Sequence, residues 1–423
     1  VVSDEEVRVA VDQAHRSEWG LVLAATARLA GGDLDVAEDA TSEAFIAALE
    51  TWGSRGIPDK PGAWLTATAR RKALDRLRRA STLRSKLPLL IGSEVDADVA
   101  DMDDFGAIPD DRLRLVFTCC HPALAPEARI ALTLRLVCGL TTPEIARAFL
   151  VPEPTMAARI TRAKKKISGA KIPYLVPASE DLPERLDTVL TVVHLVFTAG
   201  HTAAVGDELV RQDLVARALD LARVLATLLP EEPEVLGLLA LLELSDARRR
   251  ARVDAAGHLV LLQDQDRSLW DAREIDHGSA MFDRALVALD GRRPGRFVLQ
   301  AGITAVHSEA PSWEATDWPA ILALYDRLLA VWPSPVVEVN RAVALSFVAG
   351  PERGLQVLDD LCADERLAGY HYLPAARADL LRRLGRTDEA ARAYRAALDL
   401  QPAPAESEFL ERQLAALQQI NPE

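Results

Sequence analysis

Aromatic residues make up only 5% of this 423-residue chain, and it contains just four cysteines. With few aromatics and abundant Ala, Leu and Arg, strands are disfavoured and an all-α protein is expected. Cys119, Cys120, Cys138 and Cys362 are too few for a disulfide framework in so long a chain, and a reducing cytoplasm is the expected setting. No apolar run is long and uncharged enough to span a bilayer, so no membrane partner is expected. The first residues, VVSDEEVRVAVDQAHR, are acidic and polar and do not read as a signal peptide. Walker, nucleophile-elbow, GxGxxG and HExxH motifs are all missing, so the chain is not expected to be an enzyme. Lysine is missing from everything beyond Pro173.

That last absence divides the chain. Residues 1–172 hold 24 basic and 24 acidic side chains, and residues 173–423 hold 25 and 39, so the whole net charge of −14 lies in the second part. Affinity for nucleic acid follows local Lys/Arg density rather than the sum, and only the first part has such density. The length predicts roughly two to four domains. A composition 49% apolar and 26% charged is that of a globular chain.

Residues 1–86 read as a small helical domain: one helix over about 5–30, a second over 35–51, a Gly/Pro-rich loop at 52–63 and a third helix over 64–80. On the third, Leu65, Ala69, Ala73 and Leu77 form an i,i+4 stripe for the core. Lys72, Arg76 and Arg79 occupy another face, with Arg70, Arg71 and Arg78 beside them, and only Asp75 offsets these six cations. The plain reading is a solvated face. Mutual repulsion favours nucleic acid instead.

Residues 87–110 carry seven acids and no base and read as a linker, which fully extended reaches roughly 80 Å. Two roles stay open for it: a flexible tether, or a polyanion that fills a channel meant for nucleic acid.

Residues 111–172 form a second helical unit. Pro126-Glu127 opens a helix and Gly139 ends it; Thr141 or Thr142 caps the next, with Pro143 and Glu144 just inside; Pro152 closes that helix and a third runs over 153–167. This is a helix-turn-helix whose last helix ends in Arg162, Lys164, Lys165 and Lys166. Bases should be reached from Pro154, Ala157, Ala158, Thr161 and Arg162, and phosphates from Arg159, Lys164, Lys165 and Lys166. The alternative is a helical corner with a basic tail.

From Pro173 onward the pattern is helical and repetitive. Ala349, Gly354 and Leu358 reappear 36 residues on as Gly385, Ala390 and Tyr394, and the step from Tyr325 to Pro333 matches that from Tyr394 to Pro402. A period in the mid-thirties with small residues at helix contacts looks like tetratricopeptide (TPR) repeats, with residues 216–244 as a degenerate member. Such repeats leave a surface for a protein or an unknown ligand. Cys119-Cys120-His121 with Cys138 is poorly spaced for zinc, and these thiols read as core packing, so no metal or cofactor is expected. His194 and His201 read as structural. Asp264, Asp266, Arg267 and Trp270 beside residues 259–262 read as a salt-bridged loop packed on the repeats, with a ligand pocket as the other reading.

On these motifs, residues 1–172 resemble RNA polymerase sigma factors of the extracytoplasmic-function group of the sigma-70 family. AEDATSEAFIAALETW (residues 37–52) is similar to the helix that grips the polymerase clamp, which implies core-polymerase contact at Asp39, Glu43 and Phe45. PGAWLTATARRKALDRLRR resembles the segment that opens and reads the −10 element, implying DNA contact at Arg55, Lys60, Arg70, Arg71, Lys72, Arg76, Arg78 and Arg79. Residues 51–63 fall where the family captures a flipped base. Residues 125–167 resemble its −35 reader, with Thr155, Arg159, Arg162 and Ala163 on the family pattern. The remainder is similar to a subgroup with a fused C-terminal TPR-like domain, through FLVPEPTMAARI, TCCHPALAPEARIALTLR, LLQDQDRSLWD and ARADLLRRLGRTDEAARAYRAAL. Departures are Leu150 for Gly, Ala157 and Ala158 for Lys/Arg and Ser, Ser42 for Gln, and Thr198, Ala199 and His201 for Asn, Glu and Tyr.

The resemblance implies an all-α protein of two small helical sigma modules, region 2 (1–86) and a helix-turn-helix region 4 (111–172), followed by a TPR-like domain (173–423). It implies core RNA polymerase and promoter DNA as partners, melting of the −10 region, and a repeat domain that contacts the sigma modules and sets their activity. The alternatives are a DNA-binding regulator with a TPR sensor that acts without polymerase, and an adaptor that works through its repeats.

Overall fold

The computed structural model describes residues 3–86, 108–149, 151–178, 180–201 and 208–420. The acidic segment 87–107 and Leu150 lie outside the described residues. Among the described residues the secondary structure is helical apart from one isolated bridge, Val253 to Leu259, so the all-α expectation holds. No helix among them is long and apolar enough to cross a membrane. The chain divides into two compact units at Leu195/Val196. The charge boundary near Pro173 does not coincide with that division.

The first unit begins with α1 (Asp4–Leu29), α2 (Leu34–Arg55) and α3 (Pro61–Lys86). Ser3 and Glu6 close a capping box on α1, and Asp33 accepts from Asp35 and Val36 to start α2. The three helices pack on one another around Leu23, Ala44, Phe45, Trp52, Leu65, Ala69 and Ala73, all buried. The i,i+4 stripe on α3 therefore faces inward, with Leu77 half-buried at its end. Fully burying a side chain such as Leu65 contributes roughly 1.5–3 kcal/mol. The Gly/Pro loop is shorter than its composition suggests, because α2 runs on through Arg55 and α3 starts at Pro61.

The second module comprises α4 (Ile108–Cys119), α5 (Pro126–Leu132), α6 (Thr142–Ala148) and α7 (Glu153–Gly169). Thr141 is the cap of α6, in a reciprocal box with Glu144. Residues Thr133–Val137 widen into a π-helical turn in which the Cys138 amide reaches back to the Thr133 carbonyl. Helix α8 (Leu182–His201) follows, and the division between the two units falls inside it.

The second unit contains α9 (Glu208–Leu228), α10 (Pro233–Asp246), α11 (Ala272–Ala288), α12 (Arg296–Glu309), α13 (Trp318–Val331), α14 (Pro335–Ala349), α15 (Pro351–Leu361), α16 (Tyr372–Arg383), α17 (Thr387–Asp399) and α18 (Pro404–Ile420). Helix α10 is apolar all round and packs against α9, α11 and α12, as a central helix must. Two carboxylates on it are nonetheless buried. Glu243 is met by Arg223 at 3.1 Å and His277 at 2.5 Å, and Asp246 by Arg249 at 2.6 Å. From α12 onward each helix packs on the next, most extensively α14 with α15 and α16 with α17.

The 36-residue register has a physical basis in these pairs. A Cβ at Gly354 would lie 2.7 Å from both the Ala342 carbonyl and the Ser346 side chain. Only a very small residue lets α15 approach α14 so closely. Ala390 holds the matching place on α17 and is fully buried, as are Leu358 and Tyr394 beside them. Residues 216–244 likewise contain a packed pair, α9 with α10.

Candidate nucleic-acid interface

Helix α3 shows its second face to a cleft of about 470 Å³ lined by Trp64, Thr68, Arg71, Lys72, Arg76 and Arg79, together with Thr51 and Arg55 from the end of α2. Trp52 is core, and Trp64 stands edge-on to it with ring centroids 5.6 Å apart. Trp64 is thus a rigid, half-buried aromatic wall in a basic cleft, an arrangement suited to stacking an unpaired base. The sequence pattern gave the cations but not Trp64, Thr51 or Thr68. For Trp64 and Thr68 the signal was their spacing on α3, Trp64 lying four residues before Thr68 and seven before Arg71 on one helix face.

The predicted basic set falls into groups. Arg55, Lys60, Arg71, Arg78 and Arg79 are exposed, and Arg70 is half-buried. Arg76 instead forks across to α2, with Nη1 2.5 Å from Asp39 and Nη2 2.5 Å from Glu43. Lys72 lies 3.5 Å from Glu43. The Arg76 hydrogen bond holds the Glu43 carboxyl below its ordinary range, against a smaller opposing effect of burial. Two residues expected at DNA are therefore tied to two expected at the polymerase.

Phe45 departs from expectation. It is 6% exposed and packs against Trp19 and His15, with centroids 5.7 and 5.2 Å away. In this structure it is core and offers no surface to a partner. The adjacent face of α2 does: Asp39 is exposed, and so are Ile46 and Leu49, at 54% and 48%. Exposed aliphatic side chains beside acids on one helix face suit a protein partner better than DNA.

On α7 the helical period sorts the predicted residues cleanly. Pro154, Thr155, Ala157, Ala158, Thr161, Arg162, Lys165 and Lys166 are exposed, and Arg159 is half-buried. Met156, Ile160, Ala163 and Ile167 form the buried stripe. Arg162 Nε donates to the Ala158 carbonyl at 3.2 Å, which holds the guanidinium along the exposed face.

Lys164 does not join that face. Its ammonium is bound to Glu38 and lies 2.9 Å from Asp35, both on α2, and its side chain is only 12% exposed. Burial opposes its charge, but the two carboxylates outweigh this and raise its pKa. Arg135 reaches Glu38 from the π-helical turn at 2.5 Å. The Tyr174 hydroxyl donates toward the carbonyls of Ala24, at 3.0 Å, and Asp111, at 3.2 Å, and Arg28 pairs with Asp111 at 3.1 Å. The two modules thus meet along a polar seam. Backbone closeness completes it: Gly139 has φ +76°, and a Cβ there would lie 2.9 Å from the Trp19 ring. A basic run read as phosphate contacts is in part a structural clamp, because Lys164 sits next to the buried Ala163 on the helix.

Cys119, Cys120 and Cys138 are buried and Cys362 is exposed. Burial drives the Cys120 thiol up to about 11 and the Cys119 thiol well above its ordinary value, the reverse of what metal ligation or nucleophilic use requires. No cluster of potential metal ligands occurs among the described residues. Among the described residues the loop around Arg267 shows no ion pair at Arg267, where one was expected. Arg267 donates to the carbonyls of His307 and Ala310, at 3.0 and 2.6 Å, and lies over the Trp270 ring at 4.3 Å.

Comparison with known proteins bears on both modules. Residues 17–82 match Sigma-70 region 2, and residues 114–167 match Sigma-70, region 4. Residues 185–286 match a family of unknown function, DUF6596. Over 385 residues the chain is 44% identical to the uncharacterized protein R00370 of Rhizobium meliloti (strain 1021), with 90% of each chain covered.

Proposed function

Since the chain belongs to the sigma-70 family and acts in promoter recognition, we propose that it binds core RNA polymerase, directs it to specific promoters and helps melt their −10 region. The observation that carries this reading is the pair of exposed basic helices, α3 and α7, one on each sigma module. The cleft beside Trp64 takes a flipped base of the non-template strand, and Arg55, Lys60, Arg70, Arg71, Arg78 and Arg79 hold the backbone around it. The early exposed residues of α7 read the −35 element, with Arg162 and Arg159 as the guanidinium contacts and Ala157 and Ala158 against thymine methyls. Asp39 and Glu43, with Ile46 and Leu49, face the polymerase. The polymerase performs the chemistry, and the chain acts in the cytoplasm.

The seam sets a condition on this activity. We infer that reaching two promoter elements separated by one to two helical turns, at about 34–36 Å per turn, requires the Lys164 contact with α2 to break. The modules separate on engaging polymerase, and residues 87–107 supply the length. The two-module plan supports the extracytoplasmic-function group, and the 36-residue register supports a TPR-like C-terminal domain, whose role in this reading is to set the activity of the modules.

The test is reconstitution with purified core polymerase. A stable complex at physiological salt and run-off transcripts from a matching promoter are expected. Failure to form that complex, with tight binding to a DNA site by the chain alone, would replace this reading with that of a polymerase-independent regulator. A chain lacking residues 173–423 should give a run-off yield different from that of the full chain, and equal yields would refute the regulatory role.

A further inference from the structure

The second unit contains a half-open cavity of about 760 Å³ that the promoter reading does not use. This is the size of a site for a mid-sized small molecule. Its walls are apolar and aromatic: Val339 and Val343 on α14, Tyr370 and Tyr372 at the start of α16, and Phe409 and Leu410 on α18. His201, Arg248 and Arg252 also line it.

Arg248 lies over the Trp270 ring at 5.9 Å, and burial lowers Arg252 against the weaker opposing charges of Tyr372, Glu406 and Asp246. Arg252 donates Nη1 to the His201 carbonyl at 2.9 Å, and the buried Nε of Arg248 has no hydrogen-bond partner among the described residues. Neither has a carboxylate within ion-pair distance among those residues. The acids that also line the cavity have their direct contacts with other groups: Asp379 with Arg382 at 2.6 Å, Glu406 with the Tyr372 hydroxyl and with His371 at 3.2 Å, and Asp264 with Gln263 at 3.3 Å, although the Glu406 charge still acts on Arg252. Burial, followed by Arg252 and Arg267, pushes Arg248 down to about 10. Burial and the neighbouring arginines also hold His201 far below its ordinary value, so the imidazole is neutral and adds a hydrogen-bonding group rather than a third cation. Two partly desolvated guanidinium groups side by side are unfavourable unless an anion joins them. An arginine fork is also the side chain best matched to an oxyanion.

We propose that this cavity binds a small organic anion. Its carboxylate or phosphate head is held by Arg248 and Arg252, and its apolar or aromatic body lies between Tyr370, Tyr372 and Phe409. The site belongs to the C-terminal unit alone and stands whether or not the chain binds polymerase.

The test uses the full-length chain, with phenylacetate, dodecanoate and phenyl phosphate as probes and phenylacetamide, dodecanol and inorganic phosphate as their counterparts. Binding is followed by calorimetry and thermal melting. At least one organic anion should bind and raise Tm, while its neutral counterpart and inorganic phosphate should not. Which organic anion binds distinguishes a carboxylate from a phosphate head. Arg252→Gln should weaken that binding at least tenfold. Arg248→Met keeps the apolar stem, and it should abolish binding yet leave the free protein's Tm unchanged or higher. A structural arginine would do the reverse and lower Tm. Should no organic anion bind, or should both folded variants bind as tightly as the parent chain, the proposal is overturned. Inorganic phosphate binding as tightly as the organic anions would also overturn it.

Discussion

Partly buried positive charge is matched at one place in the first unit and left without an ion pair at another in the second. In the first, Lys164 and Arg135 converge on Glu38, with Asp35 beside Lys164, and Arg28 meets Asp111. In the second, which lies in the acidic part of the sequence, Arg248 and Arg252 line a cavity with no carboxylate in ion-pair range among the described residues. Regional net charge therefore predicts nothing about a given cation. What matters is whether it has been given a partner. A matched buried cation fixes one arrangement of the chain, and an unmatched one is poised for something that arrives later.

The largest effect that sharpens this contrast is expected at Glu38, whose side chain is 10% exposed. Glu38→Ala leaves Lys164 and Arg135 without their shared partner and should cost about 3–5 kcal/mol in urea unfolding of the first unit. A change below about 1 kcal/mol would mean that the seam is not held by charge. Next comes Gly139→Ala. Its positive φ and the nearby Trp19 ring predict a loss of about 1–3 kcal/mol in the same measurement.

A smaller effect is expected where cations face solvent. Arg79→Ala and Arg162→Ala should each change unfolding by less than about 0.5 kcal/mol. Each should nevertheless weaken the polymerase–promoter complex and reduce the slope of log K against log salt by about one. Unchanged promoter affinity in both would remove α3 and α7 from the interface.

The smallest effect concerns thiols. A native chain at pH 8 should show one fast-reacting thiol, Cys362, and four after unfolding. Because burial raises Cys120 to about 11, folding favours the neutral thiol. The associated stability is complete below the unfolded value, about 8.5, and is lost as pH rises toward 11. Fast native reactivity of Cys120 would contradict its place in the core.

Much of the first unit was legible because its signals are local. The stripe Leu65, Ala69, Ala73, the Thr141–Glu144 box, and the alternation of buried Met156, Ile160 and Ala163 with exposed Ala157, Ala158 and Thr161 all follow from helix period and capping. The misreadings share a different cause. Lys164 looks like its neighbours Lys165 and Lys166, and only a contact with Glu38, 126 residues away, reveals its role. Phe45 and Ile46 are adjacent apolar residues on α2, and which one faces inward depends on Trp19 from another helix. The cavity in the second unit draws on residues from His201 to Gln413, so no window of sequence could contain it. The register of α15 and α17 was visible because small residues, Gly354 and Ala390, recur 36 residues apart at buried helix contacts.

The clamp at Lys164 also makes the free chain a poor judge of its own affinity for DNA. Any ligand that requires the modules apart binds only the open fraction of molecules, and its apparent dissociation constant rises by the inverse of that fraction. If the seam favours the closed form by about 3 kcal/mol, roughly one molecule in 150 is open at a given instant. Promoter binding measured on the chain alone would then look about two orders of magnitude weaker than the contacts themselves warrant. A partner that merely held α2 away from α7, touching no DNA at all, would restore the difference.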